Sequence, residues 1–189
     1  STGYIVACQN TAEISNLKEN SNDEEFAGGI VAILETATIE NSKNTGNVIG
    51  STNIGGIAGE SKGTITQCRN DGQVSKVAGV ICKTVNLGGL VGKNGEAARL
   101  SNSKNYGNVN SETDTLVNLG GICGILYNNS IVELCENNGA ISGSGKEIIP
   151  NEDTNTNCAS CTSNNGGSAS TDDFGQLNIG IIYGKYQEI

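Results

Sequence analysis

Short apolar runs alternate with polar ones along the whole chain, and the period is two. In "GTITQCRNDGQVS", which begins at Gly63, Ile65, Cys68 and Val74 stand among polar neighbours. Runs of three to five such residues rich in Ile, Val and Thr, separated by Gly or Asn, predict short β-strands joined by turns. In this third unit the expected strands are Gly56–Gly59, Thr64–Cys68 and Gln73–Ser75. No stretch sustains a 3.6-residue pattern, so no helix is expected.

The same pattern recurs. "GYIVACQNTAEIS" from Gly3, "ATIENSKNTGNVI" from Ala37, "ARLSNSKNYGNVN" from Ala98 and "SIVELCENNGAIS" from Ser130 align with it without gaps. One column reads Ile5, Ile39, Ile65, Leu100 and Val132; another reads Cys8, Ser42, Cys68, Ser103 and Cys135. The next is asparagine throughout: Asn10, Asn44, Asn70, Asn105 and Asn137. Two residues on stand Ala12, Gly46, Gly72, Gly107 and Gly139, and then Ile14, Val48, Val74, Val109 and Ile141. The asparagines are 34, 26, 35 and 32 residues apart. A degenerate sixth copy is expected around Ala159–Ser168, with Asn164 and Gly166 in register. A second motif interleaves with the first: "GGIVA" at Gly28, "GGIAG" at Gly55, "GGLVG" at Gly88, "GGICG" at Gly120 and a relic "GIIYG" at Gly180. Asn53-Ile54, Asn86-Leu87, Asn118-Leu119 and Asn178-Ile179 precede the later ones.

A unit of this length cannot bury its own core, but stacked units can. The expected fold is therefore all-β: a parallel β-helix of five to six coils, each of 26–35 residues. A right-handed coil is expected because crossovers between parallel strands take that hand. At about 4.8 Å per coil the rod is on the order of 30 Å long. Residues 1–189 form one solenoid domain, with clear repeats over 3–142, a degenerate coil and loop insertion over 143–178 and a partial coil over 179–189. The asparagine column is expected to form an amide ladder. The glycine column, Gly46, Gly72, Gly107 and Gly139, is expected to supply positive-φ turns.

Composition agrees with a thin core. The chain of 189 residues has 27 Gly, two Phe, five Tyr and no Trp. Its net charge of −9 and lack of any Lys/Arg cluster exclude a nucleic-acid groove. No run is long enough to span a membrane, so no insertion is expected within this segment. With no Met and a first residue Ser1, the chain is expected to be an excised or processed piece of a longer rod.

Candidate chemistry is sparse. The absence of histidine removes Ser-His-Asp and Cys-His catalysis and His-based metal sites. Glu40, Asp71, Glu133 and Glu136 do not fall in one column, so no carboxylate pair is expected, and no catalytic residue or metal ligand is assigned. Of the seven cysteines, Cys8, Cys68 and Cys135 are expected as buried structural thiols. Cys158 and Cys161 form "CASC" in a polar loop, a candidate local disulfide. Asn128 opens the sequon "NNS", a candidate glycosylation site in a secreted setting. No cofactor is expected. The acidic clusters Asn22–Glu25, Asn151–Asp153 and Asp172-Asp173 leave Ca²⁺ open as a ligand in a calcium-rich medium. The loops Asn16–Ala27, Ser75–Thr84, Ser111–Leu116 and Ser142–Gly175 are candidate contact points.

"GGLVG", "GGIAG" and "GGICG", with "CRNDGQV" and "SKNYGNV", resemble the GLUG (Gly-Leu-x-Gly) repeat. Such arrays occur in bacterial cell-surface and adhesin-like proteins, in non-catalytic regions of immunoglobulin A-cleaving metalloproteases and in some protist surface proteins. The resemblance covers about residues 3–142 and the C-terminal relic; Ser142–Asn178 departs from it. It implies an extracellular stalk or adhesive module and lends no catalytic residue. The expected function is a non-catalytic surface stalk, filament subunit or ligand-presenting rod. Its expected partner is a protein or glycan at a cell surface, or another copy end to end. The alternative is a carbohydrate-binding or carbohydrate-cleaving β-helix.

Overall fold

The computed structural model describes residues 3–16, 24–80, 82–111, 116–127, 129–150, 158–159, 161–163, 167–180 and 183–187. All regular structure among them is β, and every strand pairing is parallel. The chain winds as a parallel β-helix. A full coil holds five short strands rather than three. In the third coil they are Asn53–Gly55, Ala58–Ser61, Thr64–Thr66, Arg69–Asn70 and Val74–Lys76.

The extra breaks have local causes. The alternating run Thr64–Cys68 is interrupted at Gln67, which sits in the left-handed region at φ 54°. Ala7, Asn41, Asn102 and Leu134 occupy the same corner of the other coils, at φ 54°, 50°, 50° and 52°. A left-handed residue costs an L-amino acid roughly 1–2 kcal/mol. Here it resets the in/out parity of the strand, so that Ile65 and Cys68, three apart, both face the core. A simple alternation would have put one of them in water.

Strands stack column on column. One six-stranded sheet runs from Tyr4–Val6 through Thr38–Glu40, Thr64–Thr66, Arg99–Ser101 and Ile131–Glu133 to Cys158–Ala159. A second runs from Gln9–Asn10 through Lys43–Asn44, Arg69–Asn70, Lys104–Asn105 and Glu136–Asn137 to Thr162–Ser163. A five-stranded sheet holds Val31–Leu34, Ala58–Ser61, Val91–Asn94, Cys123–Tyr127 and Tyr183–Gln187. The strands on either side of each coil junction, such as Val48–Gly50 and Asn53–Gly55, complete a ten-stranded sheet.

The sixth copy adopts a different register from the one the sequence suggests. Ser163, not Asn164, pairs with Asn137, and Gly167 pairs with Ile141, a shift of one residue from the expected register; Gly166 itself lies outside the described residues. Cys158 lies on an edge strand opposite Val132 rather than in a loop. The strand Gly167–Gly180 runs beside both Ile141–Pro150 and Leu116–Gly120, which sets Asn178 opposite Asn118. Three expected loops also carry more structure than their composition implies. Phe26–Gly28 is a strand, Val80 and Cys82 are buried in the core, and strands occupy much of 142–175.

The interior is divided. One apolar cluster gathers Ile39, Ile57, Ile65, Cys68, Leu90, Leu100, Ile122 and Val132 with their neighbours. The other gathers Val48, Ile54, Val74, Leu87, Val109, Leu119 and Ile141. Along the third coil, Asn70 falls between Cys68 of the first cluster and Val74 of the second, and Gly56 falls between Ile54 and Ile57. The seam between the clusters is polar, and the two sequence motifs meet on it.

Candidate functional site

Each asparagine of the first column is tied both to its own turn and to the next coil. Asn105 Nδ2 donates to the Gly107 carbonyl at 2.8 Å and to Asn137 Oδ1 at 2.8 Å. Its Oδ1 accepts from the Gly107 N–H at 3.2 Å and from Asn70 Nδ2 at 2.9 Å. Both amide hydrogens and both acceptor sites are used, which is the full capacity of the side chain. The column continues Asn10 to Asn44 at 2.8 Å and Asn44 to Asn70 at 2.9 Å. It ends on Ser163 Oγ, 3.4 Å from Asn137 Nδ2. Asn44, Asn70, Asn105 and Asn137 are fully buried. Asp would lack the donors and Ser the second donor, so the geometry demands the carboxamide.

Across the coil the amide meets bare glycine. A Cβ on Gly56 would stand 2.2 Å from Asn70 Cγ and 2.3 Å from the Gly89 carbonyl oxygen. Gly29 and Gly89 face Asn44 and Asn105 in the same way. The second glycine of each Gly-Gly pair and the asparagine of the same coil are thus two halves of one contact. Gly46, Gly72, Gly107 and Gly139 need a correction. None of them has positive φ; the one described glycine that does is Gly79. They are glycine because a Cβ at Gly72 would lie 1.9 Å from the Gly46 carbonyl oxygen of the coil before. Close stacking, not turn type, fixes the residue.

A second ladder went unread in the sequence. Asn118 Nδ2 donates to Asn86 Oδ1 at 2.6 Å, and Asn86 Nδ2 to Asn53 Oδ1 at 2.7 Å. Its donors point toward the N-terminal coil, opposite to those of the first ladder. The signal was present as the asparagine before each aliphatic-Gly-Gly. Phe26 occupies the column one coil earlier, opposite Asn53, and ends the run.

The cysteine and serine column is also a ladder, which is why the two residues interchange. The Cys8 N–H donates to Ser42 Oγ and the Cys68 N–H to Ser103 Oγ, each at 3.1 Å. Each side chain in turn donates to the carbonyl two residues back, at 2.8 Å for Ser103 and 3.2 Å for Cys68. Burial pushes the Cys68 and Cys135 thiols up to about 11, and Cys123 well above its ordinary value. These are inert thiols, not nucleophiles. Cys8, expected buried, is exposed. Cys161 is disulfide-bonded and packs against the first cluster. The Cys158 side chain and the sequon residue Asn128 lie outside the described residues, as do most of the acidic clusters proposed for Ca²⁺. Among the described residues no three His, Cys, Asp or Glu side chains gather as a metal site. None forms a helix long and apolar enough to cross a membrane.

Outward columns carry charge. On the sheet of Lys43, Arg69 and Lys104, Asp71 pairs with Arg69 at 2.6 Å and Lys43 at 2.8 Å, and Lys104 pairs with Glu136 at 2.8 Å. Arg69 stacks on the Tyr106 ring, 4.2 Å from its centroid. Burial raises the Asp71 carboxyl, but Arg69 and Lys43 more than offset it and hold the group below the usual carboxylate range. On the five-stranded sheet a cleft of about 360 Å³ opens between Glu60, Lys62, Lys93, Gly95, Glu96 and Tyr127. Lys93 bridges Glu24 at 2.9 Å and Glu60 at 3.5 Å, and Lys62 joins Glu60 at 3.9 Å to Glu35 at 3.4 Å. Three successive coils supply this cleft, and no sequence column announces it.

No family model, curated protein or solved structure matches the chain.

Proposed function

We propose that the chain is a non-catalytic, extracellular structural or adhesive module, a stiff rod that holds ligand-binding surfaces at a distance. One observation carries the reading: the residues that repeat are committed to coil-on-coil contact. The asparagines, the cysteine/serine column and the seam glycines all spend their chemistry inward, along the axis. In a repeat protein whose period serves catalysis, the repeating polar groups would converge on a solvent-facing site. The resemblance of "GGLVG" and "SKNYGNV" to GLUG repeats of surface proteins supports the same reading, as does the acidic charge of −9. Stalk, filament subunit and adhesive rod are variants of this one role.

The experiment is antibody labelling of intact source cells. Staining without permeabilisation is the expected result. Staining only after the membrane is opened overturns the surface assignment. A measured hydrolase or lyase activity of the purified chain overturns the non-catalytic one.

A further inference from the structure

Glu60 is the unusual residue of the outer surface. Its side chain is 7% exposed, and its carboxylate is held by two ammonium groups at ion-pair range. Lys93 and Lys62 approach at 3.5 and 3.9 Å, longer than the roughly 2.7–2.9 Å of a charge-assisted hydrogen bond. A carboxylate held at these distances keeps acceptor capacity for a ligand's donors, and Glu60 opens onto the cleft of about 360 Å³.

The lining decides which donors fit. Glu60 and Glu96 line the cleft with Lys62 and Lys93, and each of these two ammonium groups is already shared between two carboxylates, Glu60 with Glu35 or Glu24. An anionic ligand would meet these carboxylates and the chain's overall −9. Glu60 only accepts, Lys62 only donates, and they stand 3.9 Å apart. A hydroxyl is a small group that serves both at once. Beside them the half-buried Tyr127 ring offers a flat apolar wall, with Lys93 Nζ 5.9 Å from its centroid. The volume lies in the range of small-molecule pockets, roughly 300–1,000 Å³.

Resting on the reading of the rod as a presenter of ligands, we propose that this cleft binds one ring of a neutral saccharide. Glu60 accepts from ring hydroxyls, Lys62 donates to them, and Tyr127 packs against the C–H face. The stacked coils make the site: Glu60 and Lys62, then Lys93 and Glu96, then Tyr127 come from consecutive coils.

The test is a glycan array probed with the labelled chain, followed by calorimetric titration of any saccharide retained. Tyr127→Ala and Glu60→Gln each weaken binding at least tenfold, with thermal unfolding followed alongside. Tyr106→Ala, on another face, leaves it unchanged. Because Tyr127 is partly exposed, its truncation reads the site even if Glu60→Gln disturbs packing. Retention of no neutral saccharide, of charged glycans alone, or of a saccharide bound equally well by Tyr127→Ala and Glu60→Gln overturns the site. In those cases surface labelling of the rod still stands. Cleavage of a bound saccharide leaves the site intact and removes the non-catalytic reading instead.

Discussion

The two asparagine ladders use the same side chain on the same repeat, and they differ in how it is anchored. In the first, every amide also closes a two-residue turn on its own backbone, as Asn70 does with the Gly72 carbonyl at 2.8 Å. In the second, the bonds between Asn53, Asn86 and Asn118 run from coil to coil with no such turn among those observed. The first ladder therefore shapes each coil as well as stacking it, while the second only stacks. Their amides also point in opposite directions along the axis. Hydrogen-bonded amides polarise one another along a chain, so two opposed chains cancel much of the dipole that a single column would build.

If anchoring makes the difference, Asn70→Leu is the most damaging change. It removes the acceptor of one Asn44 Nδ2 hydrogen, one of the two donors to Asn105 Oδ1 and the side-chain donor to the Gly72 carbonyl. At about 1–3 kcal/mol for each buried bond left unmade, the loss is roughly 4–6 kcal/mol in urea unfolding. Unchanged stability would remove the ladder from the account. Gly56→Ala attacks the same contact from the other side. Its Cβ would strike Asn70 and the Gly89 carbonyl, and a loss of about 3–4 kcal/mol is expected from overpacking and strain. Asn86→Leu is the matching change in the second ladder. It breaks the bonds from Asn118 Nδ2 and to Asn53 Oδ1 and no turn, so about 2–3 kcal/mol is expected. A loss equal to that of Asn70→Leu would erase the distinction between the ladders.

The smallest effect lies outside both. Asp71, 23% exposed, has its carboxyl held below the usual range, so its contribution is present above about pH 4 and fades as pH falls through the lowered value. After discounting for solvent, Asp71→Asn should cost less than about 1 kcal/mol at pH 7. Below that lowered value the cost should vanish. A pH-independent cost would point to packing rather than charge.

The period, the strand character and the asparagine column were legible because each coil restates them at a fixed offset. What misled was chemistry with more than one physical use. Glycine two residues after asparagine suggests a left-handed turn, yet the left-handed residues that recur at one corner of each coil are Ala7, Asn41, Gln67, Asn102 and Leu134, of mixed type. That corner has no composition of its own because its side chains face water and its backbone N–H is fixed by a carbonyl of the next coil, as Gln67 is by Ser101. In the last copy Ser163, rather than Asn164, holds the column, since strand register outweighs residue identity when the motif has decayed. The second ladder was visible as a motif prefix, but its alternation with Phe26 hid its role.

By itself the sequence determined the fold class, the coil length and which side chains fill the interior, because a repeat can bury its apolar columns only by stacking in register. Only the tertiary structure decided why each glycine is glycine, how the core splits along a polar seam, and that Glu60, Lys62, Lys93 and Tyr127 share a cleft. Those facts depend on distances between coils. Residues 27 to 69 positions apart along the chain become neighbours there, and no local pattern encodes that proximity.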